Sequence, residues 1–245
     1  MKAAALTLEG KPVNPLSFGV SKFVRGGVAL NFGTSGGAHC SKACTHHPDK
    51  GGACYAVRTE KYRTNLGRKL QRIEDTPPAD VVRLASSALD LHGWRLPWFR
   101  LSAFGAVPSA VPAGLPVLLR KLSRHGTPIH FPTECKRKRE RYAAALDGSG
   151  VVVRWSATGQ RAFLNARRDG VPSSVVVGEV GSTRAARTAA AARFASAARR
   201  DGSGRGCIVC PASLAGGVKG DHPAAKCGRC TACADPDIDE VYVLH

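Results

Sequence analysis

The stretch VVVRWSATGQRAFLNARRDGVPSSVVVGEV, residues 151–180, decides the fold class of this chain. Its two runs rich in β-branched residues, 151–158 and 173–180, are typical of strands, and the segment 160–169 between them is typical of a helix. A strand, a helix and a second strand in this order predict a parallel pair, because parallel neighbours need a long crossover connection.

The same alternation extends in both directions from this unit. It predicts an α/β fold, either a TIM-like barrel, complete or partial, or a doubly wound sheet. No strand is followed by G-x-G-x-x-G or G-x-x-x-x-G-K-[ST], which weighs against nucleotide binding of those two kinds. Ser182 or Thr183 can cap the last, Ala-rich helix. The further predicted strands are 17–23, 28–34, 98–107, 128–134, 206–212 and 241–245, and the further helices are 56–73, 79–92, 114–125, 136–146 and 183–200.

The sequence divides into two parts. Residues 1–205 are predicted to form the barrel-like domain, with a Cys- and His-rich insertion at 39–54. Residues 206–245 are predicted to form a Cys-rich metal-binding segment that closes the barrel.

The charge of the chain indicates its partner. Lys and Arg number 36 against 18 Asp and Glu, a net charge of +18, and the hydrophobic content of 43% is normal for a globular core. This excess favours a polyanion, DNA or RNA, as the partner. No apolar run is long enough to span a membrane, and the first residues lack the apolar centre of a signal peptide, so we expect a cytoplasmic protein. Nine cysteines in such a protein favour metal or redox chemistry over disulfides.

Five cysteines near the C-terminus give the strongest chemical signal. Two C-x2-C pairs at this spacing are typical of zinc, because each turn directs two thiolates at one point. The run C-x2-C-x2-C at 227–233 also suits an iron–sulfur cluster. One possible zinc set is Cys207, Cys210, Cys227 and Cys230; the other is Cys227, Cys230, Cys233 and His245, with Cys210 in reserve.

A second cluster lies near the N-terminus. Cys40, Cys44 and Cys54 have the spacing C-x3-C-x9-C. Three thiolates can hold a [4Fe–4S] cluster and leave one iron open for an external ligand. Alternatively, the three cysteines bind zinc together with His39, His46 or His47.

Three basic stretches favour nucleic-acid binding, because rows of Lys and Arg neutralise phosphates and release counterions. The third is the Ala-rich segment 184–200. The first stretch contributes Arg58, Lys61, Arg63, Arg68, Lys69 and Arg72, and the second contributes Lys136, Arg137, Lys138 and Arg139.

The cysteine pattern resembles a family of phage-encoded cysteine-rich proteins of poorly defined function. The N-terminal cluster ends in Cys54–Tyr55–Ala56, and the C-terminal part contains Cys210–Pro211–Ala212, the cysteine triplet and the terminal His245, as in that family. The resemblance spans most of the chain and, if the chain is phage-encoded, implies the host cytoplasm.

Two barrel families are similar in parts. Radical-SAM enzymes share a cysteine cluster near the first strand, there with the spacing C-x3-C-x2-C, and this likeness implies S-adenosylmethionine as a cofactor. The tRNA-guanine transglycosylases, and phage relatives that place 7-deazaguanines in DNA, share a TIM barrel and a C-terminal zinc site that Cys227, Cys230, Cys233 and His245 resemble. Their catalytic aspartate has no counterpart in RLSAFGAV, residues 100–107.

Three functional hypotheses follow. The first is a base-modifying enzyme that exchanges guanine for a 7-deazaguanine in DNA, with Glu134 and Glu179 as the candidate catalytic carboxylates at strand ends. The second is a radical-SAM-like iron–sulfur enzyme acting on a nucleic acid or a nucleotide. The third is a non-enzymatic, zinc-stabilised DNA-binding protein.

Overall fold

A computed structural model describes most of the chain, namely residues 7–8, 11–18, 27–34, 36–40, 64–102, 106–179, 181–214, 230 and 232–243. The strands are β1 (Thr7–Leu8), β2 (Lys11–Pro12), β3 (Leu16–Phe18), β4 (Val28–Leu30), β5 (Phe99–Leu101), β6 (Ile129–Thr133), β7 (Val153–Ala157), β8 (Ser173–Val177), β9 (Gly206–Val209) and β10 (Ile238–Val243). The helices are α1 (Thr64–Glu74), α2 (Pro78–His92), α3 (Leu115–Arg124), α4 (Lys136–Ala145), α5 (Gln160–Arg168), α6 (Arg184–Ala198) and α7 (Pro211–Leu214), with a short 3-10 helix at Ala232–Ala234.

Eight strands form one sheet in the order β3-β4-β5-β6-β7-β8-β10-β9. β3 pairs with β4 in antiparallel fashion, and every other neighbouring pair in this sheet is parallel. The predicted α/β class is therefore confirmed. Among the described residues no pairing joins the edge strands β3 and β9, so the barrel remains a prediction.

The unit at 151–180 folds as the sequence predicts. Phe163 on α5 packs with Val175 and Val177 on β8 in one apolar cluster. α5 ends at Arg168, and Gly170 just beyond it has a φ of 69°, a left-handed conformation that favours glycine. Thr183 caps α6, as expected, by accepting a hydrogen bond from the N–H of Ala186 at 3.2 Å.

The helices α1 to α6 pack on one face of the sheet. β4 to β8 are neighbours in chain order, and right-handed crossovers between such strands place all their helices on the same side. Accordingly, Phe99 and Phe131 on the strands share an apolar cluster with Leu118 on α3. Val241 on β10 packs in a second cluster on the same side, with Ala191 on α6.

The chain reverses direction after β9, because β10 returns to lie between β8 and β9. A right-handed connection in this reversed direction places its described residues, 210–214, 230 and 232–237, on the opposite face of the sheet. The 3-10 helix within this connection packs against β6 and β10. We call the face that it covers the inner face.

The sheet curves toward its inner face. Tyr242 on β10 and His130 on β6 approach each other there, with 3.4 Å between the hydroxyl oxygen and Nε2. Three strand spacings, about 14 Å in a flat sheet, separate β6 from β10. Since these side chains do not bridge such a gap along a flat surface, their contact requires curvature.

Some element boundaries differ from those expected. β10 begins at Ile238, before the predicted 241, although Asp239 and Glu240 are poor strand formers. They are accommodated because Arg167 and Arg154 pair with them in the interior. The segment 206–245 thus contributes β9 and β10 to the main sheet. The predicted helix over 56–73 is observed from Thr64, and residues 56–63 lie outside the described part.

Candidate functional site

The inner face of the sheet is polar. Alternation along the strands directs apolar residues such as Phe131 and Val153 toward the helices and their neighbours toward the inner face. A parallel sheet buried on both faces normally has apolar side chains on both, so buried ionisable groups there mark a candidate site. The inner-face residues include Arg100, His130, Arg154, Ser174, Glu240 and Tyr242.

Three potential metal ligands converge on this face. The ligand atoms of His130, Cys233 and Glu240 all lie within 4.8 Å of one another, so the group can hold a metal ion. The thiol of Cys233 donates to Glu240 Oε1 at 2.8 Å. The hydroxyl of Tyr242 donates to the other oxygen of Glu240, Oε2, also at 2.8 Å. One carboxylate therefore accepts hydrogen bonds from two sides.

Arg154 holds the covering segment in place. Its guanidinium donates to the carbonyl oxygens of Ala232, Cys233 and Asp235 at 3.1, 3.3 and 3.0 Å. Its Nε lies 3.5 Å from Glu240 Oε2, and the side chain is fully buried. Arg154 therefore fixes the segment that carries Cys233 and also neutralises charge beside it.

Burial and neighbouring charges set the protonation of this group. Burial raises the pKa of Cys233 far above its usual range, and the charge of Glu240 adds to the effect. Burial lowers the pKa of His130 well below its usual value, and the positive charges of Arg100 and Arg154 act in the same direction. Without a bound cation, the group therefore contains a protonated thiol and a neutral imidazole near neutral pH.

The cysteines of the first C-x2-C pair lie on different sides of the sheet. Cys207 packs into the helix-side cluster with Phe163 and Ala191. Burial raises its pKa to about 11. Cys210 follows β9, and its charge contributes to the raised pKa of Cys233, which places it near the inner-face group.

The loop after β4 carries Cys40. Its backbone is fixed by Glu74 at the end of α1, whose carboxylate accepts hydrogen bonds from the N–H groups of Thr34 and Ala38. Burial alone would raise the pKa of Glu74, but these hydrogen bonds outweigh it, so its pKa is lowered. The sulfur of Cys40 accepts a hydrogen bond from the N–H of Gly36 at 3.2 Å.

The two thiol groups share one edge of the sheet. Cys40 follows β4 and Cys210 follows β9, and both strands run in the same direction within the sheet. The carboxyl ends of parallel strands meet at one edge, where α/β proteins usually bind their ligands. Glu134, which follows β6, lies at this carboxyl edge as well.

The two predicted catalytic carboxylates differ in their surroundings. Glu134 lies 3.3 Å from Nζ of Lys138, and its side chain is 23% exposed. Glu179 is exposed, and its backbone carbonyl accepts a hydrogen bond from the hydroxyl of Ser182. The structure does not bring these two glutamates into contact within the described residues, and their catalytic role stays a prediction.

The predicted nucleic-acid ligands also divide into two classes. Arg68, Lys136 and Arg137 are exposed, and Arg72 is partly buried. Three others make internal hydrogen bonds to carbonyl oxygens: Lys69 to Leu16, Lys138 to His39 and Val107, and Arg139 to Val153.

Several predicted ligands lie outside the described residues. They are Cys44, Cys54, Cys227 and His245 among the metal candidates, and Arg58, Lys61 and Arg63 among the basic residues. Cys230 is described and is partly buried. The complete ligand set of either cysteine cluster therefore stays a prediction.

Four residues of the site were absent from the sequence-based candidates: His130, Arg154, Glu240 and Tyr242. His130, Arg154 and Tyr242 lie between apolar neighbours, as in PIHFPTE at 128–134, and Glu240 precedes Val241 in DIDEVYV at 237–243. An ionisable residue inside an otherwise apolar strand was the available signal, because such a side chain points to the second face of the sheet.

No protein-family model, curated protein or solved structure matches this chain. None of the helices in the described ranges combines the length and apolar character that a membrane span requires.

Proposed function

We propose that this chain is a radical-SAM-like iron–sulfur enzyme that acts on a nucleic acid or a nucleotide. The observation that carries the proposal is the position of Cys40, in the loop that follows the first parallel strand of the sheet, at the carboxyl edge. In the radical-SAM family the cluster cysteines also lie near the first strand.

The donor chemistry around Cys40 fits a cluster. A hydrogen bond from a backbone N–H, here that of Gly36, stabilises negative charge on a ligating sulfur. Cys44 and Cys54 would supply the remaining thiolates. When bound, a [4Fe–4S] cluster would supply one-electron chemistry, with S-adenosylmethionine at the iron that lacks a protein ligand.

Residues on α1 and α4 hold the Cys40 loop in place. Glu74 holds the backbone of the Cys40 loop, and Lys138 binds the carbonyl oxygen of His39 at 2.6 Å. The cysteine is thus held from α1 and from α4. Ser102, at the carboxyl end of β5, has a φ of 60°, a conformation that is rare outside glycine and that concentrates at functional sites.

We also propose that the sheet forms a partial barrel. The chain order of β4 to β8, with their helices on one side, and the curvature across the inner face are the features of a rolled sheet. In a barrel the carboxyl edge forms the mouth, where the substrate meets the cluster. The net charge of +18 favours a phosphate-bearing substrate there.

Anaerobic purification and reconstitution with iron and sulfide test this function. We expect a brown protein with equal amounts of iron and acid-labile sulfide, and loss of this cluster in Cys40→Ser. Cys135→Ser is the matched control, because Cys135 is a partly exposed N-cap residue of α4 and serine is a good N-cap. A reconstituted wild-type protein without iron, or a Cys40→Ser variant that retains the whole cluster, overturns the proposal.

A second candidate is base exchange of the transglycosylase type, favoured by Glu134. This carboxylate lies at the carboxyl edge, 3.3 Å from the ammonium group of Lys138, and a carboxylate nucleophile can hold the sugar after the base leaves. The zinc-loaded protein would then incorporate labelled 7-deazaguanine into DNA, and Glu134→Gln would abolish this while Glu140→Gln, an exposed change on the helix that follows Glu134, would not. Binding of DNA with neither reaction would instead support the zinc-stabilised binding protein.

A further inference from the structure

Three segments far apart in the sequence meet at one point of the inner face. His130 comes from β6, Cys233 from the 3-10 helix, and Glu240 from β10. Their ligand atoms lie within 4.8 Å of one another, and His130 and Glu240 are almost completely buried. Neither cysteine motif in the sequence includes the histidine or the glutamate.

We propose that His130, Cys233 and Glu240 form a mixed nitrogen, sulfur and oxygen site for a divalent transition metal, zinc first among them. Three protein ligands leave the fourth position of a tetrahedral zinc site open to water. The site differs from the all-cysteine and cysteine–His245 sets expected from the sequence, and it does not depend on the proposed iron–sulfur function.

The distances suit zinc after a small adjustment. Zinc bonds of about 2.0–2.3 Å in a tetrahedron place the ligand atoms roughly 3.3–3.8 Å apart. Cys233 Sγ and Glu240 Oε1 are 2.8 Å apart because a thiol proton joins them. The metal replaces this proton, which is released to solvent, and the two atoms then separate by about 0.7 Å.

The charges balance when the site is filled. The thiolate of Cys233 and the carboxylate of Glu240 bring two negative charges, which balance a divalent cation. The buried guanidinium of Arg154 is also paired with Asp239, whose carboxylate lies 3.8 Å away. Such neutrality favours binding, because an uncompensated charge in the interior is costly.

The proposed ligands are held by hydrogen bonds from neighbouring residues, as the ligands of metal sites usually are. Tyr242 donates to Glu240 Oε2 at 2.8 Å, which leaves Oε1 toward Cys233. Arg154 fixes the backbone of Cys233 through its carbonyl oxygen. Hydrogen bonds of this kind orient metal ligands and raise affinity.

The sheet itself disfavours the alternative set that contains Cys207. That thiol lies in the helix-side cluster, whereas Cys210 lies near the inner-face group. Both cannot reach one metal ion without a rearrangement of β9. Replacement of Cys207 should therefore weaken metal binding only if the set that contains Cys207 is used. Replacement of Cys233 should weaken it if the inner-face site is used.

Titration of the metal-free full-length protein with cobalt(II), as a spectroscopic substitute for zinc, tests the site. Cobalt bound to thiolate gives an ultraviolet charge-transfer band, and we expect Cys233→Ala to lose much of it, while Cys207→Ala keeps it. His130→Ala and Glu240→Gln should each weaken the affinity for cobalt by more than about a hundredfold, because residues that only orient a ligand cost about ten- to a hundredfold. His125→Ala, a change of an exposed histidine, should leave the affinity unchanged. Unchanged cobalt spectra and affinity in Cys233→Ala and His130→Ala overturn the proposal.

A measurement on protein in which His130, Cys233 and Glu240 are all intact avoids the risk that a variant of the site is misfolded. X-ray absorption at the zinc edge, on Cys40→Ser protein carrying one zinc per chain, should show sulfur together with nitrogen or oxygen neighbours. A shell of sulfur alone would overturn the site, because it would require the all-cysteine set.

Discussion

The ammonium group of Lys138 and the carbonyl oxygen of His39 lie 2.6 Å apart, although 99 residues separate them in the sequence. The same ammonium donates to the carbonyl oxygen of Val107 at 2.9 Å and to Glu134 at 3.3 Å. One buried lysine on α4 therefore joins the Cys40 loop, the loop after β5 and the end of β6.

Replacement of this lysine should release all three segments. Lys138→Met leaves two carbonyl oxygens and Glu134 without their donor, and we expect a loss of about 3 kcal/mol in the free energy of unfolding. Denaturant unfolding measures this, and faster alkylation of Cys40 should accompany it. Lys136→Met, an exposed change on the same helix, should stay within about 0.5 kcal/mol of the wild type. Equal effects of the two variants would contradict the role of Lys138.

Substitution of Gly37 should also destabilise the Cys40 loop. A methyl group there would collide with both carboxylate oxygens of Glu74 and with Oγ1 of Thr34. We expect Gly37→Ala to lower stability by about 1–3 kcal/mol and to reduce iron incorporation. A double-mutant cycle checks the cause: in a Glu74→Ala background, the same change should cost much less. Additive effects would show that the collision is not the reason.

The α/β class follows from the sequence because strand and helix periodicities are local properties. Residues 151–180 contain β7, α5 and β8 with the predicted types. The position of Cys40 after a strand is equally local.

The inner-face group does not follow from the sequence in this way, because its members lie far apart in the chain. His130 and Glu240 meet because the connection after β9 reverses direction and the sheet curves. Similarly, nothing in KRKRERY at 136–142 distinguishes the exposed Lys136 from the buried Lys138, since tertiary packing alone decides which lysine finds carbonyl partners.

A fall in pH should lower the free energy of unfolding, because Asp201 becomes protonated. Burial alone would raise the pKa of this carboxyl group, but hydrogen bonds from Arg167 and Ser203 outweigh it and lower the pKa to about 2 from an ordinary 3.8. A group with a lowered pKa in the folded state contributes its stability above the ordinary pKa and loses it as the pH falls. We therefore expect about 2 kcal/mol to be lost between about pH 4 and pH 2.

Unfolding free energies measured across that pH range check this expectation. Asp201→Asn should be less stable near neutral pH and should show a smaller loss on acidification. Asp147→Asn, which changes an exposed aspartate, should follow the wild-type curve. If Asp201→Asn and wild type lose the same free energy on acidification, the carboxylate of Asp201 is not the acid-sensitive group.

Nucleic-acid binding should depend on which edge of the sheet carries the positive charge. α4 begins directly after β6, so the exposed Lys136 and Arg137 lie at the carboxyl edge with Cys40. α3 ends shortly before β6, so the exposed Arg120 and Arg124 lie toward the amino edge. The two pairs carry the same charge and differ in position, which makes them matched variants.

Binding of duplex DNA, measured against salt concentration, separates the two edges. Each phosphate contact contributes about 0.9 to the slope of log K against log salt, so Lys136→Ala with Arg137→Ala should reduce the magnitude of the slope by about 1.8 and weaken binding. Arg120→Ala with Arg124→Ala should leave the slope close to that of the wild type. Equal reductions in both pairs would mean that the chain binds DNA through its net charge alone, because a diffuse field does not distinguish one edge from the other.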